Sequence, residues 1–462
     1  MKLIKVDITN FRCFESLSIP LHPSVNVFVG VNGAGKTSLL DAIAIALYDI
    51  VAAQGGSAGE HRSHGTELRP GDIHIPAGTK DPVTGRRDFV SIKAQAGDFY
   101  PVPDFPATMP SGERSVLEWE DHIQYRPPNN FVYEGSQSNR LKEVYRYFQT
   151  LWREIRTADD RALIPCPVVA YYRADRRLSQ VPDLGNIFSV KMDRETALQD
   201  ALNAGSSYKQ MIQWFFLREN QELRERLQIQ HDRHFELPDL KAVRAAIVRV
   251  VENVEQIFFE DSPPRLKVRR RTSGHEAEIL NVEQFSDGYR NLLALVLDFA
   301  RRLAQAHPNW ENPLEAPGIL LIDEIELHLH PHWQQRIIPS LTSAFPNTQL
   351  IVATHSPQVL TTVKRENIAI LKDNRLYAAQ VNTYGAESKR VMLEVMQTES
   401  RPPDNPVVDQ LRELFKQINQ GLLDQALELW ETLARQLGPD EPALIEAMTT
   451  IKNRQWEKEL GL

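Results

Sequence analysis

The run Gly30-Val-Asn-Gly-Ala-Gly35-Lys36-Thr37 restricts this chain more than any other feature. It has the form G-x-x-x-x-G-K-[ST], with the apolar segment Val25-Asn-Val-Phe-Val before it and helix-spaced apolar residues over 37–52 after it. A strand that ends in such a loop and turns into a helix makes a phosphate cradle. Glycines let the backbone wrap the anion, and the free amides of the helix start face its charge. Lys36 is placed to reach the β- and γ-phosphates and Thr37 to ligate Mg2+, while Asn32, Gly33, Gly35 and Ser38 complete the ATP-binding stretch.

Three later segments supply what a phosphate loop lacks. Gly318-Ile-Leu-Leu-Ile-Asp323-Glu324 reads as a buried strand carrying two acids to its C-terminal end, where ligands bind in α/β sheets. Asp323 suits a Mg2+ contact and Glu324 the base that polarises water. Thr354-His355-Ser356-Pro357 ends the next apolar strand, Gln349–Ala353, and there His355 can sense a γ-phosphate. Phe285-Ser286-Asp287-Gly288 opens a helix over 291–303. Ser286 can cap that helix, and Gly288 lets backbone approach a phosphate.

In this order the four pieces resemble the RecF/SMC/OLD-like branch of ABC-type ATPases. Asn10-Phe11-Arg12-Cys13-Phe14 is similar to that branch's opening segment, Ile322–Pro331 to its Walker B segment, and Ala353–Pro357 to its switch. Phe285 stands where the signature leucine is usual, and His328 where transporters carry the aspartate of a D-loop. The resemblance implies an α/β P-loop head with a mixed sheet and crossover helices, and ATP and Mg2+ as ligands. It also implies that Arg12 lies near the nucleotide, and that the signature of one subunit closes on ATP held by another. Ser286 would then sense the γ-phosphate across a dimer or dimer-based oligomer.

The branch's nucleases carry a further domain that needs an Asp-x-Asp pair, and none follows Pro357. No sustained heptads mark the coiled-coil arms of SMC proteins. The segment Val381–Gly385, then Arg401-Pro402-Pro403 and helices, resembles the tail of the Septu anti-phage ATPase, also found beside retrons. That family works with a separate HNH nuclease.

Four regions are expected. Residues 1–138 form an N-terminal ATPase lobe, with 54–88 a long surface insertion rich in Gly, Pro, Ser and His. Residues 139–280 form a mainly helical inserted subdomain, with amphipathic runs at 211–223 and 240–258. Residues 281–385 form the C-terminal ATPase lobe. Residues 386–462 form a helical partner-docking tail, broken at Gly421 and Gly438-Pro439 into three helices.

The net charge of −8 argues against a chain built to coat nucleic acid. No apolar stretch approaches the ~18 residues of a membrane span. Two cysteines in unrelated segments, Cys13 and Cys166, read as core thiols of a cytoplasmic protein. His328, His330 and His332, and separately His61, His64 and His74 with Glu60 and Asp72, read as polar loop residues rather than zinc sites. Lys267–Arg271 reads as a solvated hairpin edge, and Trp214-Phe215-Phe216 as core or interface. Gln95, at the end of a strand, is the candidate for the Q-loop.

The sequence thus predicts an ATPase that acts as a nucleotide-dependent switch on a separate HNH nuclease in anti-phage defence. The alternative is a RecF-like DNA-binding ATPase acting alone, motivated by the basic run. No nuclease site of its own is expected.

Overall fold

A computed structural model describes residues 1–54, 67–76, 87–100, 116–126, 130–133, 139–157, 163–174, 192–206, 208–229, 234–261, 264–272 and 274–460. In chain order the first elements are β1 (Lys2–Phe11), β2 (Phe14–Pro20), β3 (Val25–Val29), α1 (Lys36–Gln54), β4 (Phe89–Gly97), β5 (Leu117–Arg126) and β6 (Asn130–Tyr133). Then come α2 (Asn139–Thr157), β7 (Val168–Tyr172), α3 (Tyr208–Arg224), α4 (Pro238–Val250), β8 (Val254–Asp261), β9 (Pro264–Arg270) and β10 (Glu278–Asn281). Next are α5 (Asp287–Ala306), β11 (Gly318–Ile322), α6 (Pro331–Gln334), α7 (Ile337–Ala344), β12 (Thr348–Thr354), α8 (Pro357–Leu360), β13 (Ile368–Lys372) and β14 (Arg375–Ala378). Helices α9 (Ser388–Glu394), α10 (Pro406–Asn419), α11 (Leu423–Leu437) and α12 (Pro442–Leu460) follow.

The chain divides into two units, Met1–Val391 and Met392–Leu462. In the first, a six-stranded sheet has the order β14-β13-β3-β12-β11-β7 and is parallel except for β14. Every residue of β7, β11 and β12 is buried. That is why these strands read as unbroken apolar runs: a parallel sheet is covered on both faces. The strand β3 is clasped from both sides by strands more than 300 residues later, β12 at Leu350↔Val25 and β13 at Ile368↔Val27. The Gln349 side chain adds two bonds of 2.8 Å to the Leu3 backbone. A five-stranded antiparallel sheet, β2-β1-β4-β5-β6, and a three-stranded one, β10-β9-β8, complete the unit.

Helix α5 is buried along nearly its whole length and carries charge into the interior. Asp298, fully buried, accepts bonds of 2.8 Å from both Arg301 and Arg302 and of 2.7 Å from the Tyr172 hydroxyl. Burial opposes its ionisation, yet Arg302 and Arg301 overcome this and hold the carboxyl down at about 2. Just past the helix, buried His307 takes the Cys166 amide on Nε2 at 2.9 Å, with Nδ1 2.8 Å from the Leu303 carbonyl. Burial presses its pKa down to about 4. Cys166 and Cys13 are both free thiols.

Four sequence expectations are corrected here. The helical run over 240–258 stops at Val250, a turn with Asn253 at φ 62° follows, and Val254–Asp261 is a strand. Buried Val254, Ile257 and Phe259 face the core along β8, and the aromatic, β-branched content suits a strand. Residues 139–280 therefore hold a whole sheet, plus β7 of the central one, beside their helices. Lys267–Arg270 lies on β9, the middle strand of its sheet rather than an edge, and Arg271 follows directly. Three of its four cations meet acids: Lys267 with Glu260 at 2.7 Å, Arg270 with Glu278 at 2.5 Å, and Arg271 with Glu255 at 2.7 Å. Between β11 and β12 lie the two short helices α6 and α7.

The fourth correction concerns 54–88. Its described part is not all surface: Leu68, Asp72 and Ile73 are buried, and Ile73 bridges to Phe11. His74 bonds the Asn10–Arg12 backbone at 2.8 and 2.6 Å. Glu60, His61 and His64 lie outside the described residues. Trp214 and Phe215 are core, with Phe215 and Phe216 packed on Phe259.

In the second unit α10, α11 and α12 close on Leu411, Leu414, Ile418, Ala426, Leu433, Leu444, Ala447 and Ile451. Gly421 (φ 77°) and Gly438 (φ 89°) separate the helices, in a conformation that costs glycine little. Among the described residues no helix is long and apolar enough to cross a membrane.

Candidate ATP site

Strand β3 hands the chain to Gly30, and α1 begins at Lys36. Gly33 (φ 80°) and Gly35 (φ 100°) take the left-handed backbone that turns the amides inward. Gly35 is also fixed by space, since a Cβ there would stand 2.7 Å from the Cys13 sulfur and 2.9 Å from the Phe14 ring. Thus the Asn10–Phe14 segment forms the floor of the loop. Asn32 and Gly33 are exposed and Ser38 half-buried. Lys36 is buried and folds back to donate to the carbonyls of Gly30 (2.8 Å) and Val31 (3.1 Å). Burial lowers its pKa, while Asp323, Glu326 and Glu324 act to keep it charged.

Parallel pairing sets the acids opposite the loop. Asp323 follows β11 directly, is almost fully buried, and accepts the Thr37 hydroxyl on Oδ2 at 2.7 Å. These two oxygen donors come from elements 286 residues apart, and such hard ligands suit Mg2+. Glu324 is half-buried, with φ 46° in a tight turn whose Leu327 amide bonds the Glu324 carbonyl at 3.0 Å. His355 follows β12, with Nδ1 3.5 Å from Lys36 Nζ. Burial, and then Lys36, push its pKa down, so the ring is held neutral.

Two residues around this site were missed in the sequence. Glu326 accepts the Thr354 hydroxyl at 2.7 Å and the His355 amide at 2.5 Å, tying the switch to the Walker B turn. Its only signal was a second acid two residues past Glu324. Asp41 was missed as well. Deeply buried on α1, it collects Arg12 at 2.6 Å, Arg173 at 2.9 Å and the Tyr171 hydroxyl at 3.0 Å.

Three of the expected site residues have surroundings that the sequence did not show. Arg12 is held by two carboxylates, Asp41 and Asp72 (2.8 Å), rather than standing free for a nucleotide. Burial works against its charge, but these bonds raise its pKa above the usual value. Ser286 occupies the cap position of α5, yet its hydroxyl makes no capping bond and is exposed. Gly288 has a partner within its own chain: a Cβ there would stand 2.0 Å from the His328 carbonyl oxygen. No hydrogen bond or ion pair among the described residues joins Ser286 or Gly288 to the loop 30–38. Gln95 is engaged on β4 by Glu118 at 2.7 Å. Among the described residues no group of three His, Cys, Asp or Glu could hold a metal, and His332 instead meets Glu252.

A family model described as "AAA domain, putative AbiEii toxin, Type IV TA system" matches residues 117–361, from β5 through the switch histidine. The chain belongs to this family. A second model, "AAA ATPase domain", matches residues 1–52, the part with the phosphate loop. This family member is an ATPase, with an α/β P-loop head and a helical C-terminal unit. It is similar over nearly its full length to the Retron Ec83 probable ATPase of Escherichia coli, with 28% identity over 502 residues, covering 99% of this chain and 88% of that one. A shorter match, 40% over 93 residues, links it to Septu protein PtuA of Bacillus mycoides (strain KBAB4), covering 20% and 13% of the two chains. The crystal structure of the SmcHead bound to the C-winged helix domain of ScpA is also similar, at 17% identity and TM-score 0.44, covering 83% of this chain and 98% of that one.

Proposed function

We propose that the chain binds ATP with Mg2+ and hydrolyses it slowly, as a conformational switch in anti-phage defence that controls a separate HNH nuclease subunit in the cytoplasm. The observation that carries the ATP-site reading is the Thr37–Asp323 hydrogen bond. It puts the loop's hydroxyl and the strand-end carboxylate where one cation can take both, with Lys36 and His355 alongside. When bound, Mg2+ would neutralise phosphate charge as the γ-phosphoryl is transferred. Asn32, Gly33, Gly35 and Ser38 offer the anion backbone and side-chain donors, and Lys36 exchanges its two carbonyls for phosphate oxygens. Glu324 takes the proton of the attacking water, and the neutral His355 ring reports the γ-phosphate.

The exposed, uncapped Ser286 fits a role toward a second copy, whose bound ATP it would close upon. The active unit is then a dimer or dimer-based oligomer. The retron and Septu names of the relatives support the defence setting, and the second unit is the proposed docking site for the nuclease.

Glu324→Gln tests the site. It should retain ATP and associate stably while turnover is lost; wild-type phosphate release by that variant would rule Glu324 out as base. Co-purification from the native host followed by mass spectrometry tests the nuclease partner. The pairing of Lys267, Arg270 and Arg271 with acids weakens the DNA-binding alternative, for which salt-dependent DNA retention by the purified chain is the check.

A further inference from the structure

Glu252 sits in the turn between α4 and β8, far in sequence from every ATP-site motif. Its side chain is less than a quarter exposed and gathers three groups from the segment after Walker B. The Trp333 indole donates to Oε2 at 2.9 Å, while Arg336 and His332, the latter at 3.3 Å, bind Oε1. Its backbone carbonyl accepts the hydroxyl of Tyr289, on the first turn of α5, at 3.2 Å.

The same two segments touch in two further ways. Phe285 stacks on Tyr289 at 4.3 Å, Tyr289 meets Trp333 at 5.2 Å, and the Arg270 guanidinium lies 5.2 Å over Phe285. Gly288 presses on the His328 carbonyl, and His328 itself has φ 61°. A loose pair of loops does not need a partly buried carboxylate with three donors and an aromatic ladder.

We infer that Glu252 is a positioning residue that locks the start of α5 to the turn at His328–Arg336, so that both move as one body toward a second copy's nucleotide. This rests on the composite-site reading above. The lock spares the protein from ordering two segments separately when the copies meet. It would also pass any shift of Asp323–Glu324 directly to Ser286.

The test uses the full chain with Glu252→Ala, and Glu252→Gln as the variant that keeps an acceptor for the indole. Without nucleotide, hydrogen exchange in peptides covering 285–290 and 328–336 should rise together in Glu252→Ala, with strand 318–322 unchanged. With ATP, affinity for a fluorescent ATP analogue should stay at the wild-type level. ATP-driven association should weaken and kcat fall on the order of tenfold, with KM unmoved, because Ser286 is misplaced. Glu252→Gln should recover part of both. Unchanged exchange in the two segments, or loss of protection throughout the unit, overturns the lock. Coupled exchange in a wild-type chain that never associates with ATP upholds the lock and refutes the composite site instead.

Discussion

Gly288→Ala separates two reasons for a glycine at the start of α5. If it serves only a phosphate on a second copy, the nucleotide-free chain should not notice a methyl group. Intrinsic propensity would even favour alanine in the helix, by up to about 1 kcal/mol in an interior turn. The structure says otherwise: the added Cβ would stand 2.0 Å from the His328 oxygen and 2.7 Å from its carbonyl carbon, where contacts below 3.0 Å do not occur. The helix start and the His328 turn must therefore part by about 1 Å, at an overpacking cost of about 1–3 kcal/mol. At about 1 °C per kcal/mol for a unit as long as Met1–Val391, the melting temperature of the nucleotide-free protein should drop by about 1–4 °C in a scanning fluorimetry trace. A displacement of this size next to Asp323–Glu324 should also lower turnover, by up to about 100-fold, in a phosphate-release assay. A variant that melts at or above the wild-type temperature refutes the steric argument, and lost turnover in that stable variant returns Gly288 to a phosphate role.

Glu326→Ala should cut kcat while leaving ATP affinity nearly intact, since it frees His355 without touching the loop; equal kcat would remove Glu326 from the site. Asp298→Ala leaves Arg301 and Arg302 buried with no carboxylate and should destabilise the protein by about 3–5 kcal/mol in urea melts. In the wild type this carboxylate's contribution is complete above the ordinary Asp range and fades as pH falls toward about 2. His307 has the opposite charge type but the same direction. It is neutral when folded and protonates more readily when unfolded, so stability should decline by roughly 3 kcal/mol as pH falls from about 6.5 toward 4. Urea melts of His307→Gln should show a flatter slope across that window, and an equal slope would clear His307 as the cause.

Much of the central sheet was legible because its physics is local. The runs Gly318–Ile322 and Gln349–Ala353 are buried on both faces and so carry no polar interruptions, and the loop at 30–37 declares its strand and helix by its glycines. Residues whose role depends on distant partners were not legible. Asp72 matters through Arg12, 60 positions away, and Glu326 through Thr354, 28 positions away. Nothing beside either residue in the chain announces these bonds. At 240–258 two periods follow one another, helical to Val250 and alternating from Val254, and a single apolar count over the window blurs them into one helix. The Ser286–Gly288 pair was legible as a motif, but its packing on His328 required the fold.

The clasp around β3 has a consequence for how the protein is made. The phosphate loop is synthesised about 300 residues ahead of its neighbours in the sheet, since the strand that presents it pairs with β12 and β13, on residues 350–354 and 368–370. Such non-local pairing forms late. Over that interval the loop sequence exists without its sheet, Asp323 or His355. A chain interrupted before Ile368 thus carries the nucleotide-binding signature but lacks one side of the clasp that shapes it. Competence to bind ATP therefore waits for residues 350–354 and 368–370.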